Sequence, residues 1–253
     1  MNNKNKKSNK KILVIIPAFN EAGIIFNVVN EVKKYTELDY IVVNNNSYDS
    51  TELILKDNKL NYISNEKNSG LSETMRTGMK YALEKGYDAC IQFDGDGKYD
   101  VNSIKNMITK YKQGYEIVLT SRYLNSNNID EERKEKMNIF RKMVWKIFIF
   151  LFEFKSKLHI TDPTSNLRLY NKRFMEAYVK FKKFEVEPST ILYAIRTMDF
   201  RIVEIPTTTR PRITGTSSFN NLWTIIIYMY IQLRRMLLTT NFWTYHKKIL
   251  KEK

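Results

Sequence analysis

The chain has 253 residues, of which 43% are hydrophobic and 13% aromatic, so it can bury the core of one large domain. Its single cysteine, Cys90, excludes a framework of intramolecular disulfides and indicates a reducing compartment. The net charge of +15 favours a phosphorylated or anionic partner, but no zinc-ligand spacing or RNP-like aromatic pattern accompanies it, so we expect no nucleic acid partner.

The first half of the chain alternates short apolar runs with amphipathic segments. Residues 1–10 are rich in Asn, Lys and Ser and are expected to be a disordered start. Strands are predicted at 11–16, 40–43, 62–64, 89–93 and 116–120. Helices are predicted from Asn20, acting as N-cap, to Lys34, and at 51–57, 71–85 and 101–111. This alternation predicts an α/β fold with a mostly parallel, doubly wound central sheet flanked by helices, in which the loops that follow the strands share one edge.

Two carboxylates directly follow the fourth predicted strand, within the run 89–98. Asp94 and Asp96 are separated by Gly95, and a second glycine, Gly97, follows them. Ligands of parallel sheets gather where the strands end, and two aspartates there offer oxygen ligands for Mg²⁺ or Mn²⁺ holding a diphosphate. An ordinary Asp-Gly turn leaving a strand is the alternative explanation.

Seven short motifs, taken in order, resemble one family of enzymes. They are Pro-Ala-Phe-Asn-Glu at 17–21, Asn-x-Ser-x-Asp-x-Thr at 45–51, Asn-Ser-Gly-Leu at 68–71, Phe-Asp-Gly-Asp at 93–96, Thr-Ser-Arg-Tyr at 120–123, Asp-Pro-Thr-Ser-Asn-Leu-Arg at 162–168 and Arg-x-x-Gly-x-Ser at 212–217. Together they resemble the family 2 glycosyltransferases of the GT-A (Rossmann-like) fold, and the last three resemble the dolichol-phosphate mannosyltransferase-like branch. The resemblance spans 11–220, which we expect to be one glycosyltransferase domain.

The resemblance implies a nucleotide diphosphate sugar as donor. The implied donor-binding residues are Pro17, Ala18, Phe19, Glu21, Asn45, Asp49, Asn68, Leu71, Arg76, Asp94 and Gly95. Asp94 and Asp96 would hold the metal and count as catalytic. The chain departs from the family at 44–46, which is Asn-Asn-Asn where relatives have an acidic residue that contacts the base, and at Lys98, which replaces a glutamine. These departures leave open whether the donor is UDP- or GDP-linked and what the metal's third ligand is.

Basic and hydroxyl side chains are the implied phosphate contacts. They are Lys98, Arg122, Arg168, Arg210, Arg212 and Ser217. A guanidinium matches phosphate oxygens with two parallel hydrogen bonds, and the loop at 215–218 contains the glycine and serines of a segment that could close over a diphosphate. For any one of the arginines, a solvated surface position or an ordinary ion pair is the alternative.

Two carboxylates are candidates for the acceptor side. Asp162 opens the motif that faces the acceptor in the family, and Glu187 precedes a predicted helix at 189–198. Either would act as general base if a sugar hydroxyl attacked, whereas an ionised lipid phosphate would need no base. A turn or a helix cap is the structural alternative for each of them.

Two amphipathic stretches complete the predicted elements. The stretch 143–154 carries Trp145, Phe148, Ile149 and Phe152 at helical spacing, and the stretch 222–238 carries a similar apolar series closed by Arg234-Arg235. Neither reaches the roughly 18–20 apolar residues of a membrane-spanning helix, and no signal peptide is evident. With their basic flanks they are expected either to lie on an anionic membrane, or to pack in the core or against a second copy. We assign 221–253 to an amphipathic helix with a basic tail.

These observations favour an inverting, metal-dependent glycosyltransferase, located in the cytoplasm and peripheral at the inner face of the cell membrane. It would move a hexose from a nucleotide diphosphate sugar to a polyprenyl (undecaprenyl or dolichyl) phosphate. Two alternatives stay open. One is a saccharide acceptor in cell-surface polysaccharide or teichoic acid assembly, and the other is a non-catalytic basic binding protein on the same fold.

Overall fold

The computed structural model describes residues 10–124, 139–210, 227 and 230–237. Seven strands form one sheet in the order β3-β2-β1-β4-β6-β5-β7. The strands are β1 (Ile12–Ala18), β2 (Asp39–Asn44), β3 (Tyr62–Ser64), β4 (Ala89–Gln92), β5 (Ile117–Ser121), β6 (Arg168–Asn171) and β7 (Ile202–Pro206). The helices are α1 (Ile25–Thr36), α2 (Thr51–Asp57), α3 (Gly70–Glu84), α4 (Ser103–Lys112), α5 (Ile139–Ser156), α6 (Lys172–Lys180) and α7 (Pro188–Met198). Residues 230–237 are also helical.

The sheet is mixed but mostly parallel, as predicted. Neighbouring strands run parallel except at β6, which is antiparallel to both β4 and β5. The other six strands therefore point their carboxyl ends at one edge, which we call the carboxyl edge. Strand β6 brings its amino end to that edge, because its first residue, Arg168, is paired with Gln92 at the end of β4 and with Leu119 on β5.

Strand β1 lies inside the sheet and is buried along its whole length. Because strand side chains alternate between faces, Leu13 and Ile15 join the core layer that contains α3, while Val14 and Ile16 join the layer that contains α1. Helix α3 packs closely on β1, since a Cβ on Gly78 would come within 2.5 Å of Ile15 Cγ2. Helices cover both faces of the sheet, which explains why the sequence of β1 is apolar at every position rather than at alternate ones.

The start of α1 differs from the prediction. The helix begins at Ile25, and its N-cap residue, Ile24, makes no side-chain capping hydrogen bond. Asn20 lies before that point with a φ of 57°, and its Oδ1 accepts a hydrogen bond from the Tyr48 amide at 3.1 Å. The prediction that Asn20 caps the helix is wrong, because its side chain joins the turn after β1 to the turn after β2.

The aromatic side chains of α5 divide between two faces. Phe148 and Phe152 are 4% and 0% exposed and belong to the core, so for these two residues the core alternative is correct. A different series is exposed at helical spacing, and we call it the outer face of α5. It consists of Met143, Ile147, Phe150 and Phe154.

Several predicted features lie outside the described residues. Among them are Arg212, Ser217, the side chain of Trp145, residues 1–9 and most of the stretch 222–238. Within the part of the chain that is described, no helix combines the length and the apolarity needed to cross a membrane.

Candidate active site

The loops at the carboxyl edge are joined to one another by main-chain hydrogen bonds. The Gly95 amide donates to the Pro17 carbonyl at 3.2 Å, and the Asn45 amide donates to the Ala18 carbonyl at 2.9 Å. The Asn65 amide in turn donates to the carbonyl of Asn44 at 2.9 Å. The turns after β1, β2, β3 and β4 therefore surround one region, as the sequence predicted.

Asp94 follows β4 and is held at both carboxylate oxygens. Asn166 Nδ2 donates to its Oδ2 at 3.1 Å, and Gln92 Nε2 approaches its Oδ1 at 3.4 Å. Burial raises the pKa of Asp94 above its usual range, and the nearby charge of Asp96 raises it further. The two amide hydrogen bonds and the charge of Lys98 act in the opposite direction. The Asp94 carboxylate is therefore held in one orientation, and the nearby charge of Asp96 disfavours its ionised form.

The pair fits a divalent cation. A bound cation would relieve the repulsion that raises the pKa of Asp94, and Mg²⁺ is commonly held by one or two carboxylates together with waters and substrate phosphates. Asp96 is 9% exposed, and its Oδ1 accepts a hydrogen bond from the Lys98 amide at 3.1 Å. Across the described ranges no group of three or more His, Cys, Asp or Glu side chains is arranged to bind a metal.

Gly95 separates the two aspartates at a point of close main-chain approach. A Cβ at this position would lie 2.9 Å from the Pro17 carbonyl oxygen and 3.3 Å from Ile25 Cδ1. Any larger residue would therefore push the Asp94–Asp96 turn away from the end of β1. Glycine at this position fixes the distance between the candidate metal ligands and the first turn of the candidate nucleotide site.

The turn after β1 is joined to the turn after β2 by Asp49 and Thr51. Asp49 Oδ2 accepts from the Ala22 amide at 3.2 Å, and Thr51 Oγ1 accepts from the Glu21 amide at 2.9 Å. Burial acts to raise the pKa of Asp49, but its hydrogen bonds with Thr51 and Ala22 hold that pKa below the usual range. Asp49 is thus ionised and is used to join the two turns.

Two aromatic rings stand exposed beside these turns. Phe19 and Tyr48 are 37% and 85% exposed, and their ring centroids are 5.7 Å apart at an interplanar angle of 83°. The rings are nearly perpendicular, so the exposed face of either ring, rather than the pair together, offers a flat apolar surface on which a nucleobase can stack. The sequence motifs indicated Phe19 but not Tyr48, which occupies an unspecified position of the second motif.

Asn45 and Asn68 make hydrogen bonds within the protein. Asn45 Nδ2 donates to Asn68 Oδ1 at 2.8 Å, and Asn45 Oδ1 accepts from Asn65 Nδ2 and from the Ser69 amide, both at 3.2 Å. Leu71, in the first turn of α3, packs against the core. These residues give the region after β2 and β3 a fixed shape.

Two arginines assigned by resemblance to ligand binding are engaged inside the fold. The Arg76 guanidinium donates to the main-chain carbonyls of Tyr178, Phe181 and Phe184 and so fastens the segment after α6 to α3. Arg168 is 2% exposed, and its guanidinium donates to the carbonyls of Ser165 and Pro163 at 2.6 and 2.9 Å. In the structure both arginines brace loops, because main-chain carbonyls accept hydrogen bonds from their guanidinium groups.

Arg122 and Asp162 form an ion pair at the carboxyl edge. Arg122 Nε and Nη2 donate to the two Asp162 carboxylate oxygens at 2.6 and 2.9 Å, and the Asp162 side chain is fully buried. Burial acts to lower the pKa of Arg122, and the Asp162 charge outweighs it and raises that pKa above its usual value. Glu204 on β7 positions Asp162, because it accepts hydrogen bonds from the Thr161 and Asp162 amides, both at 2.8 Å. The expected phosphate contact and the expected base are therefore paired with each other.

The other candidates lie in different surroundings. The Arg210 amide donates to the Lys98 carbonyl at 2.7 Å, so its main chain borders the Asp94–Asp96 turn, but its guanidinium pairs with Glu31 at 2.9 Å. Glu187 precedes α7 and pairs with Arg235 of the helical segment 230–237 at 2.6 Å. Burial raises the pKa of Glu187. Through this ion pair, Glu187 connects the start of α7 to the helical segment 230–237.

The structure adds residues that the motifs did not single out. Gln92 holds Asp94 together with Asn166, a residue of the motif at 162–168 to which no role had been assigned. Glu204 holds the loop of Asp162, and the Tyr99 hydroxyl accepts a hydrogen bond from the Asn166 amide at 2.8 Å. A polar Gln92 inside the apolar run 89–93 was a signal in the sequence. Nothing in the sequence marked Glu204, which lies far along the chain from its partners.

Comparison with known proteins shows one family along most of the chain. Residues 13–179 match the profile of glycosyl transferase family 2. A UDP-N-acetylglucosamine–dolichyl-phosphate N-acetylglucosaminyltransferase of Methanococcus voltae is 27% identical over 220 residues, which cover 79% of this chain and 85% of that protein. An undecaprenyl-phosphate mannosyltransferase of Micrococcus luteus is 21% identical over 220 residues, covering 83% and 88%.

Among solved structures, glucosyl-3-phosphoglycerate synthase from Mycobacterium tuberculosis has a similar fold. Its complex with UDP superposes with a TM-score of 0.65 at 12% identity, over 91% of this chain and 80% of that one. Its complex with Mn²⁺, UDP-glucose and phosphoglyceric acid gives a TM-score of 0.62 at 12% identity over the same shares. At such identities the likeness concerns the arrangement of strands and helices.

Proposed function

The chain belongs to glycosyl transferase family 2 and has the GT-A fold, and from these premises we propose that it transfers a sugar from a nucleotide diphosphate sugar to a polyprenyl phosphate, with Mg²⁺ or Mn²⁺ and with inversion at the anomeric carbon. The observation that carries the proposal is Asp94, held at both oxygens at the carboxyl edge beside Asp96. A cation bound there would neutralise negative charge on the departing nucleoside diphosphate.

The protein residues have separable tasks in this reaction. Asn166 and Gln92 orient the Asp94 carboxylate, and Gly95 keeps the turn close to the end of β1. Lys98, whose charge reaches Asp94, adds a positive charge beside the diphosphate. In a single displacement, an oxygen of the acceptor bonds to the anomeric carbon while the bond from that carbon to the diphosphate breaks, and the diphosphate leaves with the electron pair.

The acceptor is proposed from two observations. Two curated relatives that align with most of the chain are named for transfer to dolichyl phosphate and to undecaprenyl phosphate. In addition, the two carboxylates that could have served as a base, Asp162 and Glu187, are paired with arginines. A phosphate acceptor is already ionised and needs no base, whereas a saccharide hydroxyl does. The saccharide acceptor is therefore the weaker candidate.

Membrane contact follows from the proposed acceptor, which is a membrane lipid. The outer face of α5 presents four apolar side chains, with Lys146 and Lys157 beside them, and Lys157 Nζ lies 5.2 Å from the centre of the Phe154 ring. Each cation near an anionic bilayer contributes on the order of 1 kcal/mol. Lys155, by contrast, donates to the Met236 and Leu237 carbonyls and so fastens the segment 230–237. We propose that α5 lies against the cytoplasmic face of the membrane.

The proposal is tested by transfer assays with UDP- and GDP-linked sugars, polyprenyl phosphate and Mn²⁺ or Mg²⁺. Asp94→Asn and Asp96→Asn are each expected to lower kcat on the order of 100-fold or more, because charge stabilisation of the leaving group is lost. Asp57→Asn is the matched control, since Asp57 is exposed on α2. Unchanged transfer in both variants would refute the assignment.

A further inference from the structure

A cavity of about 400 Å³ lies beside α5 and is lined by residues from three parts of the chain. Helix α5 contributes Lys146, Ile149 and Phe150, while Tyr123 and Thr161 form another part of its wall. Its volume is within the range of about 300–1,000 Å³ that is usual for ligand sites. The lining combines apolar side chains with Lys146 and with the hydrogen-bonded Glu153 and His159, so it offers contacts both to an apolar chain and to a polar head.

The cavity adjoins the candidate active site. Tyr123 follows Arg122, and Thr161 precedes Asp162, so the Arg122–Asp162 pair lies next in sequence to two of the lining residues. The two wall segments are joined directly, because Ser121 Oγ and Thr161 Oγ1 are 2.6 Å apart. The Arg122–Asp162 pair thus borders the wall of the cavity.

Contacts also continue from the ion pair back to Asp94. The Tyr99 hydroxyl accepts a hydrogen bond from the Asn166 amide at 2.8 Å, and Asn166 Nδ2 donates to Asp94 at 3.1 Å. The Ser165 amide donates to the Asp162 carbonyl at 3.2 Å, and Ser165 Oγ lies 3.5 Å from the Tyr99 hydroxyl oxygen. An acceptor group that enters near Arg122 would therefore be close to the sugar of a donor held at Asp94.

On its other side the cavity meets the outer face of α5. Phe150 lines the cavity, is 66% exposed, and stacks on Phe154 with ring centroids 6.1 Å apart at an interplanar angle of 18°. Glu153 and His159 also line the cavity, with Glu153 Oε2 and His159 Nδ1 3.2 Å apart, and Lys146 is the lysine of the lining. A chain leaving the cavity over Phe150 would pass directly onto the surface that we assign to the membrane.

We propose that this cavity binds the first isoprenoid units of the acceptor, with the phosphate end toward Thr161 and the chain leaving over Phe150 into the bilayer. The inference rests on the proposed polyprenyl phosphate acceptor and adds the residues that select it. Ile149 and Phe150 recognise the chain, and Lys146 provides charge for the head group. Acceptors that carry a phosphate but no isoprenoid chain would lack these apolar contacts.

The test is photo-crosslinking of the full chain in detergent with a benzophenone-bearing isoprenyl phosphate, followed by peptide mapping. Labelling is expected at Tyr123 or within 143–161 and should be competed by farnesyl phosphate but not by inorganic phosphate. Phe150→Ser and the cavity-filling Ile149→Trp should each lower this labelling about tenfold, because one buried apolar contact is worth about that factor. Phe26→Ser is the control, since Phe26 is an exposed phenylalanine on α1.

A second variant separates the cavity from the membrane surface. Phe154 belongs to the outer face of α5 but does not line the cavity, so Phe154→Ser should keep labelling in detergent while it weakens binding to vesicles that contain an anionic lipid. Labelling only at positions other than Tyr123 and 143–161, or labelling that stays unchanged in both Phe150→Ser and Ile149→Trp, overturns the inference. The proposed function fails separately, if the wild-type chain transfers no sugar to any polyprenyl phosphate. A donor-induced rise in Tm shows that each variant is folded.

Discussion

Replacing Asp162 with asparagine is expected to destabilise the fold rather than to remove a catalytic base. The substitution leaves Arg122, whose side chain is 19% exposed, facing a neutral amide in place of a fully buried carboxylate. Removing one partner of a buried ion pair lowers the free energy of unfolding by about 3–5 kcal/mol. Because Arg122 is partly exposed, we expect a loss at the lower end of this range, about 3 kcal/mol. For a chain of this size each kcal/mol lowers Tm by about 2–4 °C, so a decrease of about 6–12 °C is expected.

Thermal and urea unfolding measure this effect, and a double variant identifies its cause. Arg122→Met combined with Asp162→Asn should recover part of the lost stability, because the unpaired charge is gone. Glu84→Gln is the control, since Glu84 makes an exposed pair with Lys80 at 3.9 Å, and such pairs contribute well under about 1 kcal/mol. An Asp162→Asn protein that is as stable as the wild type but inactive would refute this reasoning and would support a role for Asp162 as the general base.

Three further variants test other parts of the structure. Gly95→Ala should lower the free energy of unfolding by about 1–3 kcal/mol and weaken the donor-induced rise in Tm, because the added Cβ would lie 2.9 Å from the Pro17 carbonyl oxygen. A donor-induced rise equal to that of the wild type would contradict the close approach. Asn166→Ala removes a hydrogen bond that lowers the pKa of Asp94, so that pKa should rise and the acidic limb of the pH–kcat/KM profile should move to higher pH. An acidic limb that stays in place or moves to lower pH would show that Asp94 does not determine its position. Phe148→Ala should cost about 3–5 kcal/mol in urea unfolding and Phe150→Ala under about 1 kcal/mol, and equal losses would contradict the two-face assignment of α5.

The sheet could be predicted because each of its first strands is a short apolar run bounded by polar turns. The run that became β1 is buried on both faces, which is the condition that produces an uninterrupted apolar pattern. The position of β6 was not predictable in this way. Its sequence, Arg-Leu-Tyr-Asn, has no strong strand pattern, and nothing local indicates that it inserts antiparallel between β4 and β5.

Periodicity also could not determine which side of α5 faces the core. Phenylalanines occur at 148, 150, 152 and 154, so two opposite faces both carry aromatic side chains at helical spacing. Only packing against the rest of the fold distinguishes Phe152, which is fully buried, from Phe154, which is 62% exposed. The pairing of Arg122 with Asp162 is similar, since 40 residues separate them and each alone resembled a ligand contact.

The antiparallel strand explains how the acceptor side of the candidate site is built. In a parallel sheet only the segments that follow strands reach the carboxyl edge. Because β6 is reversed, the segment that precedes it, 162–167, reaches the same edge and brings Asn166 to Asp94. The same reversal delivers Thr161 to the cavity beside α5. One inverted strand therefore connects the carboxylates proposed for the donor with the cavity proposed for the lipid.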